Sequence, residues 1–376
     1  MRIKIVHTAD IHAGRHFENA DLAPEAGVLL RQEILRTLQE ICETVRREEA
    51  DFLLISGDLT EREIRREDLM RIRDFFMEIR PAQVIWTLGE CDGSSEEDFW
   101  PDHVHRIPPG FHRLEFARQH TVIWGESWSR ETWPERFFEF VPPSGPDQFH
   151  ILMLHADADA PSSLFHPVDM AALKSLGLDY CALGHRHHPL LWGRKGEVWA
   201  AYPGSPQALS FQETGDHSYL IAELEKEEGF CVRRVYRKPS GRRQFVERSV
   251  KLSPDMGLEA VADAIREEFP ISVRRRDFCR VVLQGVRETF KPFPEEKLKE
   301  FLVPDSFFYL DIRDQTKPEL DLDQLGEENR ENLLGRYILS MQERIQNAAG
   351  SQEREMLREA LLAGVEALLG SGGKER

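Results

Sequence analysis

Short apolar runs rich in β-branched residues alternate with longer stretches of helical periodicity through the first half of the chain, the pattern of βαβ units. "IKIVHTA" (Ile3–Ala9) predicts a buried strand. Between Val28 and Val45, Leu30, Ile34, Leu38, Ile41 and Val45 recur at helical spacing. "DFLLISG" predicts the next strand and Leu69–Ile79 the next helix. Four further strands follow in "QVIWTLG", "HTVIWG", "FHILMLH" and "YCALGH". From about Val198 to Val235 the runs shorten ("VWAAYPGS", "SYLIAEL", "FCVRRVY") with no long helix between them. That change predicts a second sheet packed on the first.

Near "RKPSGRR" the chain turns basic and takes on Pro and Gly, a plausible boundary. Beyond it, "GLEAVADAIREEF" has helical periodicity, while "FCRVVLQGV" and "FFYLDIRD" read as strands, predicting a small α+β unit. After "KPELDLDQLGEEN" the pattern is helical. Leu334, Tyr337, Ile338, Met341 and Ile345 share one face, Gly350 interrupts, and Leu357, Leu361, Leu362, Val365, Leu368 and Leu369 share another. The expected division is 1–240, 241–318 and 319–376.

A length of 376 residues suits a main body with smaller attachments. No run approaches the roughly 20 apolar residues of a membrane span, and "MRIKIVHTAD" is charged too early for a signal peptide. Five scattered cysteines without CxxC spacing suit a reducing cytoplasm. A net charge of −17 argues against nucleic-acid binding by the whole surface. A local basic face is still available. Arg233, Arg234, Arg237, Lys238, Arg242, Arg243, Arg248 and Lys251 crowd one segment in which Glu247 is the only acid. Such a run is either a solvated strand edge or a phosphate-facing surface.

Several predicted strands end directly in metal-binding residue types: Asp10 and His12, Asp58, Glu90 to Asp92, His155, and His185 with His187. Sites in open α/β sheets assemble at the carboxyl ends of strands. A paired-metal hydrolase needs oxygen ligands, imidazoles and a bridging carboxylate holding two cations about 3.5–4 Å apart. Asp10 and His12 are two apart and would share a face of an extended segment, and His185 and His187 repeat that spacing. Gly57 before Asp58 would let the backbone turn toward an ion. Singly, each of these residues is as well explained by a cap or a hydrogen-bonded histidine. Their order, DxH, GD, GxxD, H, GHxH, each after an apolar strand, points to a dinuclear site.

The set "HTADIHAG", "ISGDLTE", "LGECDG", "MLHAD" and "ALGHRHHP" resembles the calcineurin-like metallophosphoesterases. The continuation "AAYPGSPQALSFQETGDHSYLIAEL" is similar to the SbcD-type DNA repair exonucleases, so the resemblance covers about residues 1–240. It implies a two-sheet α/β sandwich with flanking helices, two Mn2+ (Mg2+ or another divalent ion as substitutes), and exo- and endonucleolytic cleavage of DNA. It further implies a small α+β capping domain that guides DNA, C-terminal helices that dock an SbcC-type coiled-coil ATPase, and a homodimer within that heteromeric complex. Asp10, His12, Asp58 and His187 would serve one metal. Asp58 would bridge to a second held by Glu90, His155 and His185. Phosphate contacts would come from Arg233, Arg234, Arg237, Lys238, Arg242 and Arg243, with Arg274, Arg275 and Arg276 as further candidates.

The chain departs from the family where Gly-Asn-His-Asp becomes Gly89-Glu90-Cys91-Asp92. Glu90 still offers oxygen, with an added negative charge, or could pair away from the metals. Cys91 replaces the histidine that steadies the transition state and protonates the leaving oxygen, although small bacterial phosphodiesterases of the superfamily also carry Cys there. Asp92 matches the residue that orients that group. Glu61 stands where the nuclease branch often has a further His. General acid help is worth about 10²–10⁴ in rate, so a slowed enzyme is expected before a dead one. The rivals are a non-catalytic scaffold of the same fold and a phosphodiesterase or phosphatase of small substrates.

Overall fold

The computed structural model describes residues 1–17, 22, 24–93, 99–129, 146–194, 197–227, 230–287, 293–318 and 322–371. The chain divides into two compact units, residues 1–246 with 276–278, and residues 247–275 with 279–376.

The first unit opens with β1 (Arg2–Thr8), α1 (Pro24–Arg47), β2 (Phe52–Ser56), α2 (Arg66–Met77), β3 (Gln83–Thr87) and β4 (Val104–Ile107). It continues through β5 (Gly110–Phe116), β6 (Thr121–Ser127), β7 (Phe149–His155), β8 (Asp157–Ala158), β9 (Pro167–Val168), α3 (Met170–Ser175) and β10 (Tyr180–Gly184). It closes with β11 (Leu190–Trp192), β12 (Ala200–Tyr202), β13 (His217–Glu227) and β14 (Phe230–Ser240).

Two six-stranded sheets result, ordered β14-β13-β1-β2-β3-β4 and β11-β12-β10-β7-β6-β5. In the first, β1 to β4 run parallel and β13 joins β1 antiparallel. In the second, β12, β10, β7 and β6 are parallel, flanked by antiparallel β11 and β5. Parallel strands need apolar cover on both faces, which accounts for the unbroken burial of "FLLIS" and "FHILMLH". Between the sheets lie Ile5, Phe52, Leu54, Ile85, Phe149, Ile151, Met153, Tyr180 and Leu220. The outer face of the second sheet packs Leu152, Leu154, Cys181 and Tyr202 against Met170 and Leu173 of α3.

One expectation is corrected. The strands from Val198 onward do not form the second sheet by themselves. Only β12 joins it, whereas β13 and β14 extend the first, with Ile3 facing Leu224 and Ile5 facing Ala222. The alternation of β13 supplies the reason: Leu220, Ala222 and Leu224 turn the same way as the inward residues of β1 and complete the inter-sheet core. Strands β4 and β5 also went unread in the sequence, because β5 ("GFHRLEF") is an edge strand with no buried position.

Two buried polar groups stand out. His7 on β1 bridges the sheets, with Nδ1 3.0 Å from Tyr180 Oη and Nε2 3.0 Å from Ser56 Oγ. Burial lowers its pKa to about 3, so the ring is neutral. Glu126 on β6 is 2% exposed, and neither carboxyl oxygen has a hydrogen-bond partner among the described residues.

The second unit carries the sheet β15 (Phe245–Leu252), β16 (Phe278–Arg287) and β17 (Tyr309–Asp314), with β18 (Lys317–Pro318) parallel to β16. Helices α4 (Leu258–Glu268), α5 (Ile271–Arg274) and α6 (Glu295–Leu302) connect its strands. Helices α7 (Leu322–Glu328), α8 (Leu333–Gln346) and α9 (Ser351–Ser371) follow. These three close on one another: Ile338, Met341, Leu361 and Val365 are buried together, and Tyr337 Oη donates to the Ala360 carbonyl at 2.7 Å.

Candidate metal centre

Five strand ends of the first unit deliver the candidate ligands. Asp10 and His12 follow β1, Asp58 follows β2, Glu90 follows β3, His155 ends β7, and His185 and His187 follow β10. The local backbone differs from the sequence expectation. Asp10 and His12 do not lie on an extended segment. Both are left-handed, at φ 52° and 53°, as are Asp58 at 50° and His185 at 103°. Non-glycine residues adopt this region at a cost of about 1–3 kcal/mol each and keep it only where surrounding structure imposes it. Here hydrogen bonds between the loops after β1 and β2 hold it: the amides of Ile11 and His12 both donate to the Asp58 carbonyl, at 2.8 and 2.9 Å. Two glycines allow the close approach. A Cβ at Gly57 would run into the His155 ring, and one at Gly89 into the Asp58 carboxylate.

The donors fall into linked groups whose ligand atoms lie within 4.8 Å of one another. One is Asp10, His12 and His187, a second is Glu90, His155 and His185, and Asp58 joins Asp10 with His155 and also His12 with Cys91. Asp58 Oδ2 stands between the first two, 3.6 Å from His12 Nε2 and 3.7 Å from His155 Nε2. Its Oδ1 accepts the Cys91 amide at 2.9 Å. Asp10 accepts the His185 amide at 3.0 and 3.2 Å. Glu90 turns inward: its two oxygens lie 2.7 Å from His155 Nε2 and 3.2 Å from His185 Nδ1.

The electrostatics are those of buried carboxylates and imidazoles held close together. Burial raises the Asp10 pKa, partly offset by His187 and His155. Burial would lower His155, but Asp58, Glu90 and Asp10 together lift it to about 10. His187 is lifted against burial to about 9 by Glu213 and Asp10. Burial would raise Glu90, yet its bonds to His155 and His185 hold it far below the carboxylate range. Mixed imidazole and carboxylate donors converging in this way fit divalent metal ions.

Cys91 and Asp92 sit differently. Burial, reinforced by Asp58, Glu61 and Glu90, pushes the Cys91 thiol up, so it stays neutral. Asp92 does not reach into the donor groups. Its oxygens accept from the Thr60 and Gly89 amides, both at 2.8 Å, and from Trp86 Nε1 at 3.4 Å, which pins the β3 loop to the β2 loop. Burial and Asp58 lift its pKa to about 7.

The basic candidates Arg233 to Arg243 lie on β14 and the turn after it. Arg233 donates to the Asp179 carbonyl at 2.6 Å and Arg237 to Ser218 Oγ at 3.1 Å. Arg234 pairs with Glu225 at 3.3 Å, Arg242 with Glu40 at 3.0 Å and Arg243 with Glu33 at 2.8 Å. The Lys238 side chain is exposed and makes no hydrogen bond or ion pair among the described residues. Arg274 pairs with Asp305 and Arg276 with Asp277, both at 2.8 Å.

Sequence reasoning missed Glu213 and gave Glu61 no part beside the ligands. Both carboxylates bond to candidate ligands, Glu61 to His12 and Glu213 to His187. Glu213 lies in the "SFQETGD" loop, 26 residues from His187, and no local spacing ties the two.

Residues 3–189, which hold all seven candidate ligands, match the family described as calcineurin-like phosphoesterase. This segment, just under half of the chain, is similar to that family. The chain is similar to the uncharacterized metallophosphoesterase YhaO of Bacillus subtilis, 25% identical over 235 residues, covering 59% of this chain and 57% of YhaO. It is also similar to the DNA double-strand break repair protein Mre11 of Methanopyrus kandleri, 24% identical over 321 residues, covering 74% of this chain and 64% of Mre11. The chain thus spans less than two thirds of the length of either relative. Among solved structures it is similar to TT1561 of Thermus thermophilus, at 12% identity and a TM-score of 0.36, covering 62% of this chain and 98% of that one. Among the described residues, no helix is long and apolar enough to cross a membrane.

Proposed function

We propose that the chain is a manganese-dependent DNA phosphodiesterase of the SbcD type, acting in the cytoplasm on DNA ends and breaks. In this reading it is the nuclease subunit of a complex with a coiled-coil ATPase, itself paired as a homodimer. The observation that carries the reading is Asp58 Oδ2, placed almost equally between a histidine of each donor group. A carboxylate in that position is suited to bridge two cations.

Asp10, His12, Asp58 and His187 would hold one cation, and Asp58, Glu90, His155 and His185 the other. Bound there, the pair would supply charge to the phosphoryl oxygens and lower the pKa of water. The chain's own residues do the rest. The Cys91 amide fixes Asp58, the His185 amide fixes Asp10, and Asp92 holds the Glu90–Cys91 turn against the Thr60 loop. Cys91 brings a neutral thiol where a proton donor would serve better. DNA as substrate is supported by the likeness to Mre11, which covers 74% of the chain while the family match ends at residue 189. The α4–α6 region would guide DNA, and α7–α9 would dock the ATPase.

A scaffold reading has one observation in its favour. Glu90 pairs with both His155 and His185, so its charge is taken up by protein groups. Manganese-dependent cleavage of a labelled duplex and of bis-p-nitrophenyl phosphate, with Asp58→Asn as the blank, separates the possibilities. Cleavage of both substrates supports the nuclease. Cleavage of the small diester alone indicates a small-substrate phosphodiesterase, and cleavage of neither indicates a scaffold.

A further inference from the structure

The two donor groups differ in what stands behind their histidines. In the first, Glu61 Oε1 lies 3.0 Å from His12 Nδ1, and Glu213 Oε1 lies 2.8 Å from His187 Nδ1. A carboxylate only accepts, so each Nδ1 carries its hydrogen outward and Nε2 turns inward. The two Nε2 atoms face each other 3.3 Å apart. In the second group, His155 Nδ1 donates to a neutral acceptor, the Ser56 carbonyl, at 2.8 Å. The carboxylate near His185 is Glu90, itself a candidate ligand.

Both outer carboxylates are anchored. Glu213 Oε2 accepts from the Leu209 amide at 3.1 Å and from Ser205 Oγ at 3.3 Å. Its side chain is 12% exposed and that of Glu61 is 23% exposed, with Arg15 3.9 Å from Glu61. A carboxylate behind a metal-binding imidazole fixes the ring and raises its basicity.

We propose that Glu61 and Glu213 are positioning residues that make the His12–His187 position the tighter of the two, so that the protein loads its two manganese ions in sequence, this position first. The proposal rests on the dinuclear reading given above. It also gives Glu61 a role in place of the DNA-positioning imidazole whose loss the sequence suggests.

Calorimetric titration of the metal-free full chain with Mn2+ tests this without reference to turnover. Wild type should titrate in two steps. Glu61→Ala and Glu213→Ala should each weaken the tighter step by about 10–100-fold and leave the weaker one in place. Glu61→Gln and Glu213→Gln keep an acceptor for Nδ1–H, and should retain more of the affinity than the alanine variants. Two equal steps in wild type, a shift confined to the weaker step, or no shift in either alanine variant would overturn the proposal while leaving a dinuclear site standing. Absence of any manganese binding by wild type would remove the dinuclear reading along with it.

Discussion

Glu90 Oε2 and His155 Nε2 are 2.7 Å apart, so the residue at which this chain differs from the metallophosphoesterases it resembles points into the donor cluster. Glu90→Asn keeps an oxygen and drops the charge, and it should weaken the second manganese step by about 10-fold. Glu90→Ala removes the donor and should weaken it by about 100-fold, with calorimetry as the measurement.

Cys91 carries a thiol whose pKa is pushed up by burial and three nearby carboxylates, so it assists poorly in protonating a leaving oxygen. Cys91→His should raise the rate of DNA cleavage by about 10²-fold. The gain on bis-p-nitrophenyl phosphate should be smaller, because nitrophenolate leaves with little need of a proton. Equal gains on the two substrates would remove general acid help as the explanation.

Arg243 belongs to the fold before it can belong to DNA. Its partner Glu33 has a side chain only 1% exposed and a second oxygen with no hydrogen-bond partner among the described residues. Arg243→Ala strands that charge and should cost about 3–5 kcal/mol in urea denaturation. Arg234→Ala breaks an exposed pair and should cost less than about 1 kcal/mol.

Lys238, exposed on β14, is a basic candidate whose side chain makes no hydrogen bond or ion pair among the described residues. If DNA tracks this strand, Lys238→Ala should weaken binding to all sequences alike. It should also reduce the slope of log K against log salt by about 1, read from fluorescence anisotropy at several salt concentrations.

Glu126 gives a pH signature. Burial lifts its pKa from the ordinary 4.5 to about 7. Between those values the folded chain holds a proton that the unfolded chain has released, so stability falls as pH rises through the interval. Glu126→Gln should remove that fall and stabilise the protein at pH 8 by about 1–3 kcal/mol relative to wild type, measured by denaturation at pH 5 and pH 8.

The sequence shows the strands that carry ligands plainly, because a parallel strand buried on both faces is an unbroken apolar run that needs no partner to be recognised. "FLLIS" and "YCALG" are fully buried and read as such. The sheet to which β13 belongs was hidden, since its alternation fits either sheet and only the pairing with β1 decides. At the site, residue types and order were legible. The left-handed backbone at Asp10, His12, Asp58 and His185 was not, because it arises from hydrogen bonds between loops far apart in the chain. Glu213 was invisible for a similar reason: its relation to His187 exists only once "SFQETGD" folds back over the β10 loop.

Those left-handed residues bear on what happens when metal is taken away. Their conformations are held by hydrogen bonds between protein groups, such as that from the Ile11 amide to the Asp58 carbonyl. Many small metal-binding domains unfold when stripped, because their ions supply the folding energy. Here the backbone that carries the ligands is held by hydrogen bonds between protein groups. A chelator should therefore silence the protein reversibly and leave its circular dichroism and size unchanged.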